Sequence, residues 1–250
     1  MITSNIPGST YVIHALQGYE AHGEHVRKLF AEHELEFEFV SDGDLSLMTQ
    51  EQLVKYFVPD VENVMKRGMI SCTLNHLLAY ERAVERGDPY ALVFEDDPFF
   101  LGDFVKGLDG LFEEIKRLEP GFIISLENTT LTFPSVWDIK KGQQLYPAKV
   151  GRMAGACLID QEGIRRILAD IGHKKVSLAP DWIHNDMISR GAVRMYWAHP
   201  PLVEQGSHNG RMVGTISTSS KSFKARIRWL FNKAYKTTIR RLFSQKRIID

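Results

Sequence analysis

Three consecutive carboxylates, Glu95, Asp96 and Asp97, interrupt an apolar run in the segment YALVFEDDPFF, residues 90–100. Held that close, they repel one another and raise each other's pKa, which costs stability unless a cation answers them. Glu95 and Asp97 project to the same side if strand alternation continues into the turn. The pair is then placed to share a hard divalent ion such as Mn²⁺ or Mg²⁺. The competing reading of the same residues is structural: Asp97-Pro98 caps a helix or turn, and the other two carboxylates are solvated.

The element that must present this cluster is YALVF, which lacks polar alternation and therefore reads as a central strand buried on both faces. Its C-terminal end opens where α/β sheets bind ligands. Upstream, TYVIH (10–14) reads as a strand, residues 20–33 as a helix and LEFEFV as a second strand, a β-α-β opening. ISCTLNHLLAYERAVERG reads as an amphipathic helix stopped by Gly87. Further strands are expected at GFIISL, MAGACLI and VRMYWA, and helices at 103–118, 161–170 and 181–189, with 128–150 a loop or hairpin. Strands alternating with helices predict an α/β fold with a mostly parallel sheet.

The chain has 250 residues, 44% of them hydrophobic and 25% charged, which excludes a disordered chain and suits one globular domain. Cys72 and Cys157 lie 85 residues apart without CxxC or zinc-finger spacing, so a reduced, cytosolic setting is expected. The start MITSNIPGST lacks the basic and apolar regions of a signal peptide, and no apolar run approaches the ~20 residues that span a bilayer. The zero net charge hides an asymmetry: residues 205–249 hold eleven Lys or Arg and no Asp or Glu. Within them, residues 221–247 interleave aromatic and aliphatic side chains with ten cations, predicting a basic amphipathic helical tail. Such a tail suits the plane of an anionic membrane; the alternative is a helix packed on the acidic body. No nucleic-acid-binding module is recognisable, so nucleic acid is not an expected partner.

The segment RGMISCTLNHLLAYERAVERGDPYALVFEDD resembles the core motif of glycosyltransferase family 25, which includes bacterial lipopolysaccharide galactosyltransferases and collagen galactosyltransferases. Gly68, Cys72, His76, Glu95, Asp96 and Asp97 match the family pattern, while Asn75 stands where serine is usual. The resemblance continues through TYVIHAL, RMAGACLIDQEGIRRIL, LAPDW and HPPLVEQ and covers residues 8–206.

That resemblance implies a GT-A-like, Rossmann-like catalytic domain over residues 1–206, followed by the basic segment 207–250. It implies metal-dependent, inverting transfer of a sugar, galactose from UDP-galactose, onto a lipopolysaccharide or other cell-surface glycan. Asp97 and Glu95 would hold Mn²⁺ or Mg²⁺. His14, Asp42, Asn75, His76, Asp96 and Gln205 would contact the donor. Asp181 would be the general base, with Trp182 a platform for the acceptor sugar; Asp181 also reads as a helix N-cap, with Asp186 in reserve. His199, His208 and Asn209 are late polar residues from which a further metal or phosphate ligand can come. The implied partners are a UDP-sugar, a lipid-linked saccharide and the anionic cytoplasmic face of an inner membrane, reached through 221–247. Two alternatives stay open: an inactive relative that binds a glycan or partner, and a metal-dependent hydrolase.

Overall fold

The computed structural model describes residues 7–212 and 223–237. The chain opens with β1 (Ser9–Ile13), α1 (Glu20–Glu32) and β2 (Glu38–Val40), then α2 (Gln50–Tyr56) and the long helix α3 (Arg67–Arg86). Strand β3 (Tyr90–Glu95) passes through the acidic turn into β4 (Pro98–Phe100), followed by α4 (Phe104–Ile115), β5 (Phe122–Ser125) and β6 (Leu145–Ala148). β7 (Ala156–Asp160), α5 (Gln161–Lys174), α6 (Pro180–Ser189), β8 (Arg194–Ala198), β9 (Val203–Gln205), α7 (Gly206–Asn209) and α8 (Phe223–Thr237) follow.

Seven strands form one sheet in the order β2-β1-β3-β7-β5-β8-β6. β2, β1 and β3 are parallel, as are β5 and β8, whereas β7 opposes both its neighbours and β6 opposes β8. Five of the seven strands therefore run one way, giving the expected α/β, Rossmann-like, mostly parallel sheet flanked by helices. β3 is interior, and its residues divide between two cores. Ala91 and Val93 pack with Leu74, Leu77 and Tyr80 of α3 on one face; Leu92 and Phe94 pack with Val26 and Phe30 of α1 and Leu108 of α4 on the other. A strand covered on both faces has no solvent side to mark with polar residues, which is why YALVF shows no alternation.

Several elements differ from expectation. The stretch 128–150 contains β6, whose Leu145–Ala148 pair with β8 at the sheet edge. An edge strand tolerates Pro147, the residue that hides the strand in the sequence. Helix α2 begins with a reciprocal capping box between Thr49 and Gln52, a T-x-x-Q signal present in the sequence. Helix α5 continues past residue 170 to Lys174, carried on by the buried Ile171. Beside the main sheet, β4 and β9 form a separate antiparallel ribbon, pairing Pro98 with Gln205 and Phe99 with Glu204. Of the expected tail at 221–247, residues 223–237 form α8 and the remainder lies outside the described residues.

Candidate active site

At the acidic turn the chain leaves the main sheet for the ribbon, so its three carboxylates stand between the C-terminal end of β3 and β9. They line a pocket of about 270 Å³ together with His14, Cys72 and Asn75. A larger open cavity of about 1060 Å³ lies along α4 and α8, but none of these carboxylates lines it.

The three carboxylates have different surroundings. Asp96 is buried with one oxygen 2.7 Å from His14 Nδ1 and the other 3.0 Å from His22 Nδ1. Burial alone would push its pKa up, but the hydrogen bonds from the two imidazoles outweigh that and hold it below the usual range. Asp96 thus anchors two histidines, which leaves it less free for a donor hydroxyl than the sequence suggested. Asp97 goes the other way, raised by burial and by the charge of Glu95, although Ser207 N–H donates to its Oδ2 at 2.7 Å. Its Oδ1 is buried and has no hydrogen-bond partner. Glu95 Oε2 accepts from Gln205 Nε2 at 2.9 Å, and Glu95 Oε1 faces Cys72 Sγ at 3.7 Å.

Behind Gln205 lies a fourth carboxyl that sequence reasoning missed. Glu127 is fully buried, and its Oε1 accepts from Gly155 N–H at 2.8 Å. Thr129 Oγ1 is within hydrogen-bond reach of Glu127 Oε2 and lies 2.9 Å from Gln205 Oε1. A hydroxyl has one proton and here meets two acceptors, so the set is satisfied when Glu127 itself carries a proton. Burial, reinforced by the Glu95 charge, pushes the Glu127 pKa from 4.5 to about 8, consistent with that. A directed chain results: Glu127 donates to Thr129, Thr129 to Gln205, and Gln205 to Glu95. The sequence did carry a hint, since FIISLEN repeats the pattern of YALVFED, an apolar strand ending on Glu.

Helix α3 supplies one wall. Asn75 Oδ1 accepts from Gly43 N–H at 2.7 Å, so it fastens the loop after β2. His76 is buried and lies with its Nε2 3.8 Å from Glu95 Oε1. Helix α6 is docked on α3 by the Tyr80 hydroxyl, 2.9 Å from His184 Nε2, and by Thr73 Oγ1 donating to Leu178 O at 3.3 Å. Burial depresses the His184 pKa to about 3, so the imidazole that shares this hydrogen bond with Tyr80 is neutral. This docking sets Asp181 in the first turn of α6. Ala179 occupies the N-cap position and Pro180 opens the helix, so Asp181 is not the cap. Burial and then the charge of Glu95 raise its pKa, which ties it electrostatically to the acidic turn. Trp182 beside it is 62% exposed.

Other expected residues stand apart. Asp42 pairs with Arg82 at the surface and does not line the pocket. Asp44, two residues on, does; it accepts from Leu16 N–H at 3.0 Å and is held below the usual carboxylate range chiefly by Ser46 and Leu16 against the opposing effect of burial. Charge pairing with Arg82 draws Asp42 outward, away from the pocket. His199 lines the larger cavity, His208 is exposed, Asn209 Nδ2 donates to Glu204 at 3.1 Å, and Asp186 pairs with Arg190. Asp97 and Glu95 are the residues that would hold the expected hard cation: hard ions take carboxylate oxygens, and Asp97 Oδ1 is a buried acceptor without a hydrogen-bond partner.

The sequence profile of glycosyltransferase family 25 (LPS biosynthesis protein) matches residues 10–143, more than half of the chain. The chain belongs to glycosyltransferase family 25. The matched stretch of this family 25 chain contains all but the first residue of β1, together with α3, β3 and the acidic turn, while Asp181 and Gln205 fall beyond it. The chain is also similar to the lipooligosaccharide biosynthesis protein lic2B of Haemophilus influenzae, with 26% identity over 170 residues. That stretch is 64% of this chain and 62% of the relative, so the chain spans somewhat under two thirds of the relative's length.

Proposed function

We propose that this protein is a glycosyltransferase that moves a sugar from a nucleotide-diphosphate donor, UDP-galactose first among candidates, onto a lipopolysaccharide or lipooligosaccharide acceptor with inversion at the anomeric carbon. Membership of family 25 and similarity to a lipooligosaccharide biosynthesis protein support the reaction class and the acceptor class. The observation that carries the reading is the buried, unpartnered Asp97 Oδ1 next to Glu95 at the end of a central strand. Mn²⁺ or Mg²⁺ held by Asp97 and Glu95 would offset the charge that develops on the departing diphosphate.

The chain's own residues supply the rest. Asp96, clamped by His14 and His22, fixes the wall of the pocket on the donor side. Gln205 orients Glu95, and Asn75 holds the loop that carries Asp44. Asp181 takes the proton of the acceptor hydroxyl on its carboxylate oxygen; a raised pKa suits a base more than an ordinary carboxylate would. Trp182, exposed beside it, offers a face on which an acceptor sugar stacks. The volume of about 270 Å³ is small for a whole nucleotide sugar, so part of the ligand extends out of the pocket.

We place the protein on the cytoplasmic face of the inner membrane. Helix α8 supports this: its Lys233 reaches Glu204 on the body, while Leu230, Phe231 and Tyr235 are exposed, Phe231 at 73%. Among the described residues no helix is long and apolar enough to cross a membrane.

The test is a screen of UDP-sugars with Mn²⁺ for thermal stabilisation and UDP release with a lipooligosaccharide acceptor. One donor should stabilise the protein and release UDP only when acceptor is present. Free sugar without acceptor would instead establish a hydrolase, and no response to any donor would leave a binding protein.

A further inference from the structure

Helix α3 places Cys72 and His76 four residues apart, on one face and one turn from each other. Glu95 arrives opposite them from the end of β3. The same Glu95 oxygen lies 3.7 Å from Cys72 Sγ and 3.8 Å from His76 Nε2, and all three ligand atoms fall within 4.8 Å of one another. His76 is 1% exposed, yet neither of its ring nitrogens has a hydrogen-bond partner. A buried imidazole left unpaired is unfavourable, and natural proteins keep such groups where something else binds them.

We propose that Cys72, His76 and Glu95 form a binding site for a thiophilic divalent cation of the Zn²⁺ class. Thiolate, imidazole and carboxylate in tetrahedral arrangement are zinc's characteristic donors, whereas Mn²⁺ and Mg²⁺ favour an all-oxygen set. Metal–ligand distances of about 2.0 to 2.3 Å give tetrahedral edges of about 3.3 to 3.7 Å. The two edges to Glu95 already approach these values, and the Cys72–His76 pair lies within 4.8 Å. Cys72 and Glu95 line the pocket, so the fourth coordination position opens toward it. Binding forms the metal–sulfur bond and releases the thiol proton to solvent.

The site stands on geometry alone and does not require the transfer reaction. Where that reaction does operate, the two kinds of ion share Glu95, and zinc competes with the hard cation for it.

The experiment uses the full chain, stripped of metal by a chelator and titrated with Co²⁺, which reports sulfur ligation through a near-ultraviolet charge-transfer band. The expected result is a saturating band at one equivalent with visible absorption typical of tetrahedral cobalt, displaced by Zn²⁺. Proton release should accompany it. Cys72→Ser should abolish the band, His76→Gln should weaken Co²⁺ affinity at least tenfold, and Cys157→Ser should keep the band. Weak octahedral absorption without a sulfur band in the unmodified protein would overturn the proposal, as would a band that survives Cys72→Ser. None of these readouts depends on glycosyl transfer, so a failed donor screen and a failed metal site are separately visible.

Discussion

At the scale of single residues, burial and hydrogen bonding give three neighbouring carboxyls different roles. Asp96 is held ionised by two imidazoles, Asp97 is pushed up with one oxygen unpaired, and Glu127 is pushed to about 8. The Glu127 shift has a signed consequence for stability. Between its ordinary 4.5 and about 8 the unfolded chain loses this proton while the folded chain keeps it. The group therefore makes stability fall as pH rises through that window, by about 1.4 kcal/mol per unit, with no contribution to the slope below or above it. Glu127→Gln keeps a donor toward Thr129 and an acceptor for Gly155 while removing the titration. Denaturant melts from pH 5 to pH 8 should show a flatter profile for the variant, its relative gain growing toward the alkaline end. Asp181 yields a kinetic prediction. Because it is not the cap of α6, Asp181→Asn should leave the melting temperature and donor affinity near those of the parent while transfer falls by roughly 10²-fold or more. Loss of stability with transfer retained would return Asp181 to a structural role. Its raised pKa means the basic form gains population as pH rises, so parental activity should climb on the acid side.

The elements show why part of this site could be read from sequence and part could not. The acidic turn and α3 were legible because each is local: a strand too apolar to be one-sided, a helix with its glycine stop, three carboxylates in a row. Asp44, His22, Glu127 and Thr129 were not, since their importance comes from strands and loops far apart in sequence meeting at one place. Asp42 and Asp44 differ by two positions in the same loop, and only Arg82, forty residues on, decides which of them faces outward. Gly155 illustrates the same point. A Cβ there would come within 1.9 Å of Gln205 Nε2, so the glycine just ahead of β7 exists to let β9 close over it. Gly155→Ala should displace Gln205 from Glu95, cost about 1 to 3 kcal/mol in chemical denaturation, and weaken cation-dependent donor binding. An alanine variant with unchanged stability and binding would show that Gln205 can move without consequence.

The charge asymmetry of the whole molecule has a structural counterpart in α8, which faces the body with Lys233 and Lys236 and turns Leu230, Phe231 and Tyr235 outward. Each cation near an anionic leaflet contributes about 1 kcal/mol, and the aromatic residues add burial that salt does not screen. Removing residues 221–250 should therefore abolish co-sedimentation with anionic liposomes, while the full chain should bind less at high salt without being fully released. Equal pelleting of both forms would eliminate the tail as anchor. Part of the body's grip on this helix runs through Glu204, which also accepts from Asn128 and Asn209. Glu204 and Gln205 are successive residues of β9, so they reach to opposite sides of one strand. One holds the helix and the other holds Glu95. A short strand gripped on one side by the tail and on the other by the acidic turn links the two, so if the helix does attach to lipid as proposed, load on it would be felt at the carboxylate.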